Sequence, residues 1–195
     1  MLSSSQLMAI ESLHARHYIH RDIKPSNFMI LADSPSPVSF LIDFGLAQRF
    51  RNPMSYLHIQ YSKHDPLVGT LPFTSITGHQ GGTQSRRDDL ESFAYTIICS
   101  ARGELPWTGH RNPRTILQKK LETPVEELCQ GLPAPFCGFV TYVRSLAFDE
   151  KPDYQHLHSI LSLCLETEAD HPIKAPPSVR TPMSAKRRPV DSDRV

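Results

Sequence analysis

The chain has 195 residues, of which 39% are hydrophobic, and a formal net charge of +1 at pH 7. This length fits one domain with or without a tail, and the near-neutral charge argues against a nucleic acid or a membrane as the main partner. The four scattered cysteines fit reduced thiols better than a disulfide framework. We find no signal peptide and no apolar run that could span a membrane, so we expect a cytoplasmic or nuclear protein.

The first predicted element is a helix over residues 4–19. Its positions Leu7, Ile10, Leu13 and His17 recur at intervals of three or four residues, which is the spacing of one helix face. A polar stretch follows the helix directly and carries most of the candidate chemistry.

This polar stretch, residues 20–27, reads His-Arg-Asp-Ile-Lys-Pro-Ser-Asn, and the triplet Asp43-Phe44-Gly45 begins sixteen residues after Asn27. Each motif alone is a weak signal. Both motifs in this order, with the asparagine at its fixed offset, are typical of the catalytic loop and the metal-binding loop of a protein kinase. The sequence therefore predicts phosphoryl transfer.

That chemistry gives each polar side chain an expected role. Phosphoryl transfer needs a positioned hydroxyl, bound magnesium and cations around the moving group. We expect Asp22 to accept the proton of the substrate hydroxyl and Lys24 to lie beside the phosphate in transit. Asn27 and Asp43 offer the oxygen ligands that Mg²⁺ prefers, while ATP phosphates and water complete its shell.

Two short apolar runs, residues 28–31 and 40–42, separate the two motifs. The proline-rich stretch over residues 33–37 lies between them, so we predict a two-stranded hairpin with its turn there. Such a hairpin delivers Asp43 to a point beside Asn27, as chelation of one metal ion requires.

From residue 46 to residue 84 the sequence loses its periodicity and is rich in turn-forming residues. A long irregular segment inside a compact domain is either functional or disordered. After a metal-binding loop, we favour an activation segment that shapes the site for a peptide substrate.

The second half of the chain is predicted to be helical. Residues 88–101 give the clearest helix, and amphipathic patterns also cover residues 136–147 and 154–164. A short basic helix over residues 114–121 carries Arg114, Lys119 and Lys120, which are either a solvated face or a site for an acidic or phosphorylated substrate. We place one domain at residues 1–166 and a disordered, proline-rich basic tail at residues 167–195.

Several stretches closely resemble the casein kinase I family, and the resemblance extends over about residues 4–163. Ser75-Ile76-Thr77 stands where that family carries Ser-Ile-Asn. The other matching stretches are Gln84-Ser85-Arg86-Arg87-Asp88-Asp89-Leu90-Glu91-Ser92, Leu105-Pro106-Trp107, Ile42-Asp43-Phe44-Gly45-Leu46-Ala47 and Phe148-Asp149-Glu150-Lys151-Pro152-Asp153-Tyr154.

The resemblance implies a protein kinase-like fold, here mainly α with a small β-hairpin and representing the C-terminal, helical lobe only. It also implies ATP- and Mg²⁺-dependent phosphorylation of Ser or Thr in protein substrates, with a preference for acidic or pre-phosphorylated ones. Met29 and Ile42 are implied to lie under the adenine of ATP, beside the magnesium ligands.

Further residues take supporting roles through the same resemblance. Asp89 is implied to hold the backbone of the catalytic loop, and His20 is implied to stack with Phe44. Arg21 and Gly45 complete the structural support of the two loops. The substrate-site candidates are Thr70, Arg114, Lys119 and Lys120.

Departures from the family pattern limit what is expected of this chain. Where the family has Gly-Thr-Ala-Arg-Tyr, this chain has Gly69-Thr70-Leu71-Pro72-Phe73, so an arginine that helps to hold a substrate phosphate is replaced. No glycine-rich loop or strand lysine precedes residue 20. We therefore expect little or no activity from this chain alone. The alternatives are a non-catalytic module that docks a partner or paralogue, and complementation by an N-terminal lobe from another chain.

Overall fold

The computed structural model describes residues 2–31 and 38–170. The predicted proline-rich turn at residues 33–37 and the tail beyond residue 170 lie outside these ranges. Within them the fold is helix-rich with small antiparallel sheets, as predicted. The helices are α1 (Leu2–Ala15), α2 (Ile76–His79), α3 (Arg86–Arg102), α4 (Pro113–Glu122), α5 (Val125–Leu128), α6 (Pro135–Ser145) and α7 (Tyr154–Asp170), and the strands are β1 (Tyr18–Ile19), β2 (Phe28–Leu31), β3 (Val38–Leu41) and β4 (Gln48–Arg49).

Helix α1 ends four residues earlier than the sequence predicts. His17 adopts a left-handed backbone conformation with φ of 71°, which ends the helix. Tyr18 and Ile19 then pair antiparallel with Arg49 and Gln48. The prediction of helix through residue 19 is wrong because a strand from a distant part of the chain captures this backbone.

Helix α3 is the centre of the core. It begins with a capping box between Ser85 and Asp88 and ends at Gly103, whose φ of 81° is the left-handed conformation that favours glycine. It packs against α1 and α6, while α7 packs against both of those helices. The buried side chains of α3 include Leu90 and Phe93, so the predicted apolar face is the one that the structure buries.

Strands β2 and β3 form the predicted hairpin. Phe28 faces Leu41 and Leu31 faces Val38 across the antiparallel pair. Phe28 is buried, whereas the following three residues of β2 are exposed. The second strand ends at Leu41, so Ile42 lies just beyond it, where its backbone N–H donates to the carbonyl of Asn27 over 2.9 Å.

The segment between β4 and α2 is irregular, as predicted, with one isolated bridge between Arg51 and His58. Strand β4 and the short helix α2 interrupt the longer stretch, residues 46–84, that is predicted to lack regular structure. Helix α7 continues to Asp170, past the predicted domain boundary at residue 166. In the described part of the chain, none of the helices has the length and apolar character needed to cross a membrane.

Candidate active site

The backbone of the polar stretch at residues 20–27 is held by Asp89 of α3. Its carboxylate accepts from the N–H of His20 over 2.6 Å and from the N–H of Arg21 over 2.8 Å. Arg21 itself has a φ of 66°, and its guanidinium Nε donates to the carbonyl of Leu46 over 2.7 Å. These contacts fix the loop between the core helix and the segment after Asp43.

Asp22 lies at the centre of a small hydrogen-bonded cluster. Its Oδ2 accepts from Nζ of Lys24 over 2.7 Å. Its Oδ1 accepts from both the hydroxyl (2.7 Å) and the backbone N–H (2.8 Å) of Thr70. The Lys24 ammonium also donates to the Thr70 hydroxyl over 2.9 Å. The three side chains therefore meet, although Thr70 is 48 residues away from Asp22 along the chain.

The charge of Asp22 is stabilised by these contacts. Burial raises the pKa of its carboxyl, but the hydrogen bonds from Lys24 and Thr70 and the charge of Lys24 outweigh burial. The net pKa is below the ordinary value, so Asp22 is an ionised acceptor at neutral pH.

Asn27 and Asp43 lie on adjacent segments and fit a magnesium ion by the chemistry of their donors. Asn27 donates its Nδ2 to the backbone carbonyl of Asp22 over 2.9 Å, which leaves its amide oxygen as the ligating atom. Asp43 is exposed, has a φ of 64° and accepts one long hydrogen bond of 3.4 Å from the N–H of Gly45. A carboxylate oxygen and an amide oxygen are ligands that Mg²⁺ prefers.

His20 connects the two motifs. Its Nε2 donates to the carbonyl of Ile42 over 3.0 Å, and its ring lies edge-on to Phe44 with centroids 5.3 Å apart. The imidazole is fully buried, while Phe44 is about half exposed. Ile42, which directly precedes Asp43, is therefore hydrogen-bonded to His20, the first residue of the polar stretch at residues 20–27.

Met29, Ile42 and Phe44 provide apolar surface near Asn27 and Asp43. Met29 and Phe44 are 56% and 51% exposed, and Ile42 is half-buried. Phe40, which pairs with Met29 across the hairpin, is also exposed. Exposed apolar side chains at these positions are candidates to contact an adenine ring.

The loop that carries Thr70 approaches the polar stretch at residues 20–27 closely. Gly69 has a φ of 98°, and a Cβ atom at this position would lie 2.5 Å from the carbonyl oxygen of Arg21. Only glycine allows this contact and this conformation together. Trp107 supports the loop from the other side, since its indole N–H donates to the carbonyl of Pro72 over 2.8 Å.

Lys120 supports the same loop, and the expectation that it lies either on a solvated face or at a substrate site is wrong. Its side chain is fully buried. Its ammonium donates to the carbonyls of Leu71 and Thr74 and lies 4.9 Å from the ring centre of Tyr95 and 5.1 Å from that of Trp107. The pKa of its ammonium is lowered to about 7, mainly by burial. The charge of Glu91 opposes this shift, and the charge of Arg144 adds to it.

The other two basic candidates of α4 differ from Lys120. Arg114 is exposed near the first turn, and Lys119 is half-buried. The structure therefore brings Thr70 to Asp22, buries Lys120 beneath the Leu71–Thr74 turn, and leaves Arg114 exposed.

Two supporting side chains were missed in the sequence. His14 is buried and contacts Asp89 Oδ2 through Nε2 over 2.9 Å, while its Nδ1 lies 2.5 Å from the hydroxyl of Tyr154. A carboxylate oxygen can only accept, so Nε2 of His14 is the donor to Asp89, while the Tyr154 hydroxyl lies against the other ring nitrogen. Tyr154 is 140 residues from His14 along the chain, and helical periodicity alone marks both as ordinary core positions.

Ser75 was also missed as a link between the irregular segment and α3. Its hydroxyl donates to Asp88 over 2.6 Å, and the other oxygen of Asp88 accepts from the N–H of Ser85 over 2.7 Å. Burial raises the pKa of Asp88 to about 7 despite these hydrogen bonds. The end of the irregular segment that carries Thr70 is therefore attached to the first turn of α3.

A comparison with protein-family models finds a match to the family described as fungal protein kinase, over residues 5–100. Residues 5–100 are therefore similar to protein kinases. The matched region runs from α1 almost to the end of α3 and contains Asp22, Asn27, Asp43, Thr70 and Asp89. The match therefore includes the cluster around Asp22, whereas Trp107, Lys120 and Tyr154 lie beyond the matched residues.

Proposed function

We propose that this protein carries the catalytic machinery of a Ser/Thr protein kinase of the casein kinase I type, in a domain equivalent to the C-terminal lobe. The observation that carries the proposal is the convergence of Asp22, Lys24 and Thr70 beside Asn27. ATP is the proposed phosphoryl donor. Asn27 and Asp43 would hold Mg²⁺, which would supply positive charge to the phosphates when bound.

In the proposed reaction, the hydroxyl oxygen of a substrate Ser or Thr attacks the γ-phosphorus of ATP. The new O–P bond forms as the bond between the γ-phosphorus and the bridging oxygen breaks, and ADP leaves with that electron pair. Asp22 accepts the hydroxyl proton, which its ionised state allows. Lys24 lies 2.7 Å from Asp22, so its charge is available to the phosphoryl oxygens as they move.

The Thr70 hydroxyl is proposed to hold the side chains of Asp22 and Lys24 in position until the substrate hydroxyl binds. It donates to the carboxylate and accepts from the ammonium. A substrate hydroxyl can replace it in both hydrogen bonds, because it has the same donor and acceptor capacity. Arg114 is the exposed cation of α4 that remains a candidate for an acidic substrate side chain.

Activity of the 195-residue polypeptide by itself is expected to be low. Its residues include no glycine-rich phosphate loop, and loss of one positioned charge-stabilising group typically costs about 3–4 kcal/mol of barrier. We propose that Met29, Ile42 and Phe44 form the surface that an N-terminal lobe would meet.

The proposal is tested by incubating the purified chain with ATP, Mg²⁺ and an acidic Ser-containing peptide, and measuring phosphopeptide by mass spectrometry. We expect slow transfer that Asp22→Asn abolishes and Arg111→Gln leaves unchanged, since Arg111 is exposed and remote in sequence from both motifs. Transfer that persists at the same rate in Asp22→Asn contradicts the assignment.

A second candidate function is that of a non-catalytic binding module, and the exposed apolar side chains favour it. A cavity of about 620 Å³ lies between α1 and β3, with Met8, Leu13, Phe40 and Phe44 in its walls. Such a module needs no nucleotide. Absence of any increase in melting temperature with ATP and Mg²⁺ favours this candidate, whereas an increase that Asp43→Asn removes favours the kinase.

A further inference from the structure

A second concave site lies away from Asp22, between α1, the segment after β4, the first turn of α3 and the loop before α7. It is a cavity of about 330 Å³. Three cationic side chains from three separate segments line it, namely Arg51, Arg86 and Lys151. None of the proposed catalytic or magnesium-binding residues is in its wall.

Arg86 is the most deeply placed of the three cations. Its side chain is 9% exposed, its Nη2 donates to the carbonyl of Asp149 over 2.7 Å, and its Nε is buried without a partner. Phe50 lies against the guanidinium, with its ring centre 4.4 Å from Cζ. A buried guanidinium with an unused donor and no carboxylate partner among the described residues is an exception that calls for a ligand.

The other two cations are also without a carboxylate partner in the described part of the chain. Arg51 donates its Nε to Nδ1 of His17 over 2.9 Å, and Lys151 is exposed at the mouth of the cavity. One carboxylate, that of Glu11, is in the wall, and it lies 3.1 Å from Nε2 of His158. Positive charge therefore exceeds negative charge around the cavity.

The electrostatics of Arg86 agree with this geometry. Burial lowers the pKa of its guanidinium, and the charge of Arg51 lowers it further, although Tyr154 and Asp149 oppose the change. Two like charges beside one concave surface repel each other, and an anion between them would relieve that repulsion.

We propose that this cavity binds a phosphate group through Arg51, Arg86 and Lys151. The group is either a free phosphate ion or the phosphate of a phosphorylated side chain, because both present the same oxygens to guanidinium and ammonium donors. This site is separate from the proposed ATP site, and its existence does not depend on the proposed kinase activity.

Occupancy of the cavity has a direct route to the catalytic loop. His14 and Tyr154 line the cavity and are hydrogen-bonded to each other. His14 also contacts Asp89, whose carboxylate holds the backbone of His20 and Arg21. A phosphate bound beside His14 therefore changes the field at a residue that positions the catalytic loop.

The test is isothermal titration calorimetry of the full 195-residue chain with inorganic phosphate, in the absence of nucleotide and magnesium. We expect saturable binding that weakens with added salt. Lys151→Gln and Arg51→Gln are each expected to weaken binding about tenfold, as loss of a charged hydrogen bond does. Arg111→Gln removes the same charge from an exposed position outside the cavity and is expected to leave binding unchanged.

A second titration with N-acetyl-phosphoserine amide separates the two sources of phosphate. Binding of this ester that equals or exceeds that of inorganic phosphate assigns the site to phosphorylated side chains, whereas binding of inorganic phosphate alone assigns it to the free ion. No saturable binding of either probe up to about 10 mM overturns the proposal. Equal weakening by Arg111→Gln and Lys151→Gln also overturns it, because binding is then non-specific. Circular dichroism melting of each variant checks that the fold is retained.

Discussion

Thr70 donates two hydrogen bonds to a single oxygen of Asp22, one from its hydroxyl over 2.7 Å and one from its backbone N–H over 2.8 Å. The irregular segment is therefore attached to the catalytic loop by the side chain that the proposed reaction needs. A substitution of Thr70 can remove the hydrogen bond from the hydroxyl, whereas the backbone N–H remains with any residue except proline.

Thr70→Val is expected to raise the pKa of Asp22. The substitution keeps the shape of the side chain and removes one donor to the ionised carboxylate, so the charged form loses stabilisation. Carboxyl-carbon NMR titration of Asp22 measures the change. Thr70→Ser keeps the hydroxyl and is expected to leave this pKa close to that of the wild type. A fall in the pKa of Asp22 in Thr70→Val contradicts the assigned hydrogen bond.

Gly69→Ala is expected to destabilise the fold by about 3 kcal/mol, because strain at positive φ adds to a collision with the backbone. The new Cβ would lie 2.5 Å from the carbonyl oxygen of Arg21. Gly109→Ala is the matched control, since Gly109 has a φ of 87° and no atom within 4 Å of the new Cβ. It is expected to cost only about 1 kcal/mol. Urea unfolding of both variants measures the difference, and equal losses would show that the close approach to Arg21 is unimportant.

Asp89→Ala is expected to cost about 3–5 kcal/mol of unfolding free energy. The carboxylate is almost completely buried and accepts from His20, Arg21 and His14, so its removal leaves buried donors without partners. Asp153→Ala is the control. Its carboxylate accepts one exposed hydrogen bond from the N–H of His156, and its loss is expected to cost about 1 kcal/mol. Similar losses for the two variants contradict the supporting role of Asp89.

Lys120 is expected to make stability depend on pH above neutrality. Its pKa is about 7 in the folded chain, against the ordinary 10.5. Between these values the unfolded chain binds more protons than the folded chain, so the free energy of unfolding rises with pH. One proton corresponds to about 1.4 kcal/mol per pH unit. The stabilisation is absent below pH 7, where Lys120 is charged in both states.

Lys120→Met removes this contribution. The unfolding free energy of the wild type minus that of the variant should therefore rise from pH 7 to about pH 9. Urea unfolding at several pH values measures it. Lys119→Met, at the neighbouring half-buried position of the same helix, is expected to keep the wild-type slope. Parallel slopes for the wild type and Lys120→Met would contradict the lowered pKa.

The parts of the fold that sequence reasoning predicts are those fixed by local pattern. The apolar period of α3 is undisturbed between a cap at Ser85 and a glycine at residue 103, so its position follows from propensity and spacing. The offset between Asp22 and Asn27 places both on one short loop, and the hairpin after it carries Asp43 back to Asn27.

The parts that sequence reasoning misses depend on contacts between distant segments. Lys120 has the same local pattern as Lys119. Contacts with distant segments, namely the carbonyls of Leu71 and Thr74 and the rings of Tyr95 and Trp107, distinguish the buried ammonium from a solvated one. His17 continues a helical spacing, yet the strand at Gln48–Arg49 draws the following residues out of the helix. Tertiary context overrides propensity at both positions.

The central claim, that Asn27 and Asp43 form a metal–nucleotide site beside Asp22, is tested most directly by amide NMR of the full chain with ATP and Mn²⁺ in place of Mg²⁺. Mn²⁺ accepts the same oxygen ligands and broadens the signals of nearby nuclei. We predict ATP-dependent broadening at Phe28, Phe44 and Gly45, and its loss in Asp43→Asn. Broadening that is absent from these residues, or that persists in Asp43→Asn, would contradict the account.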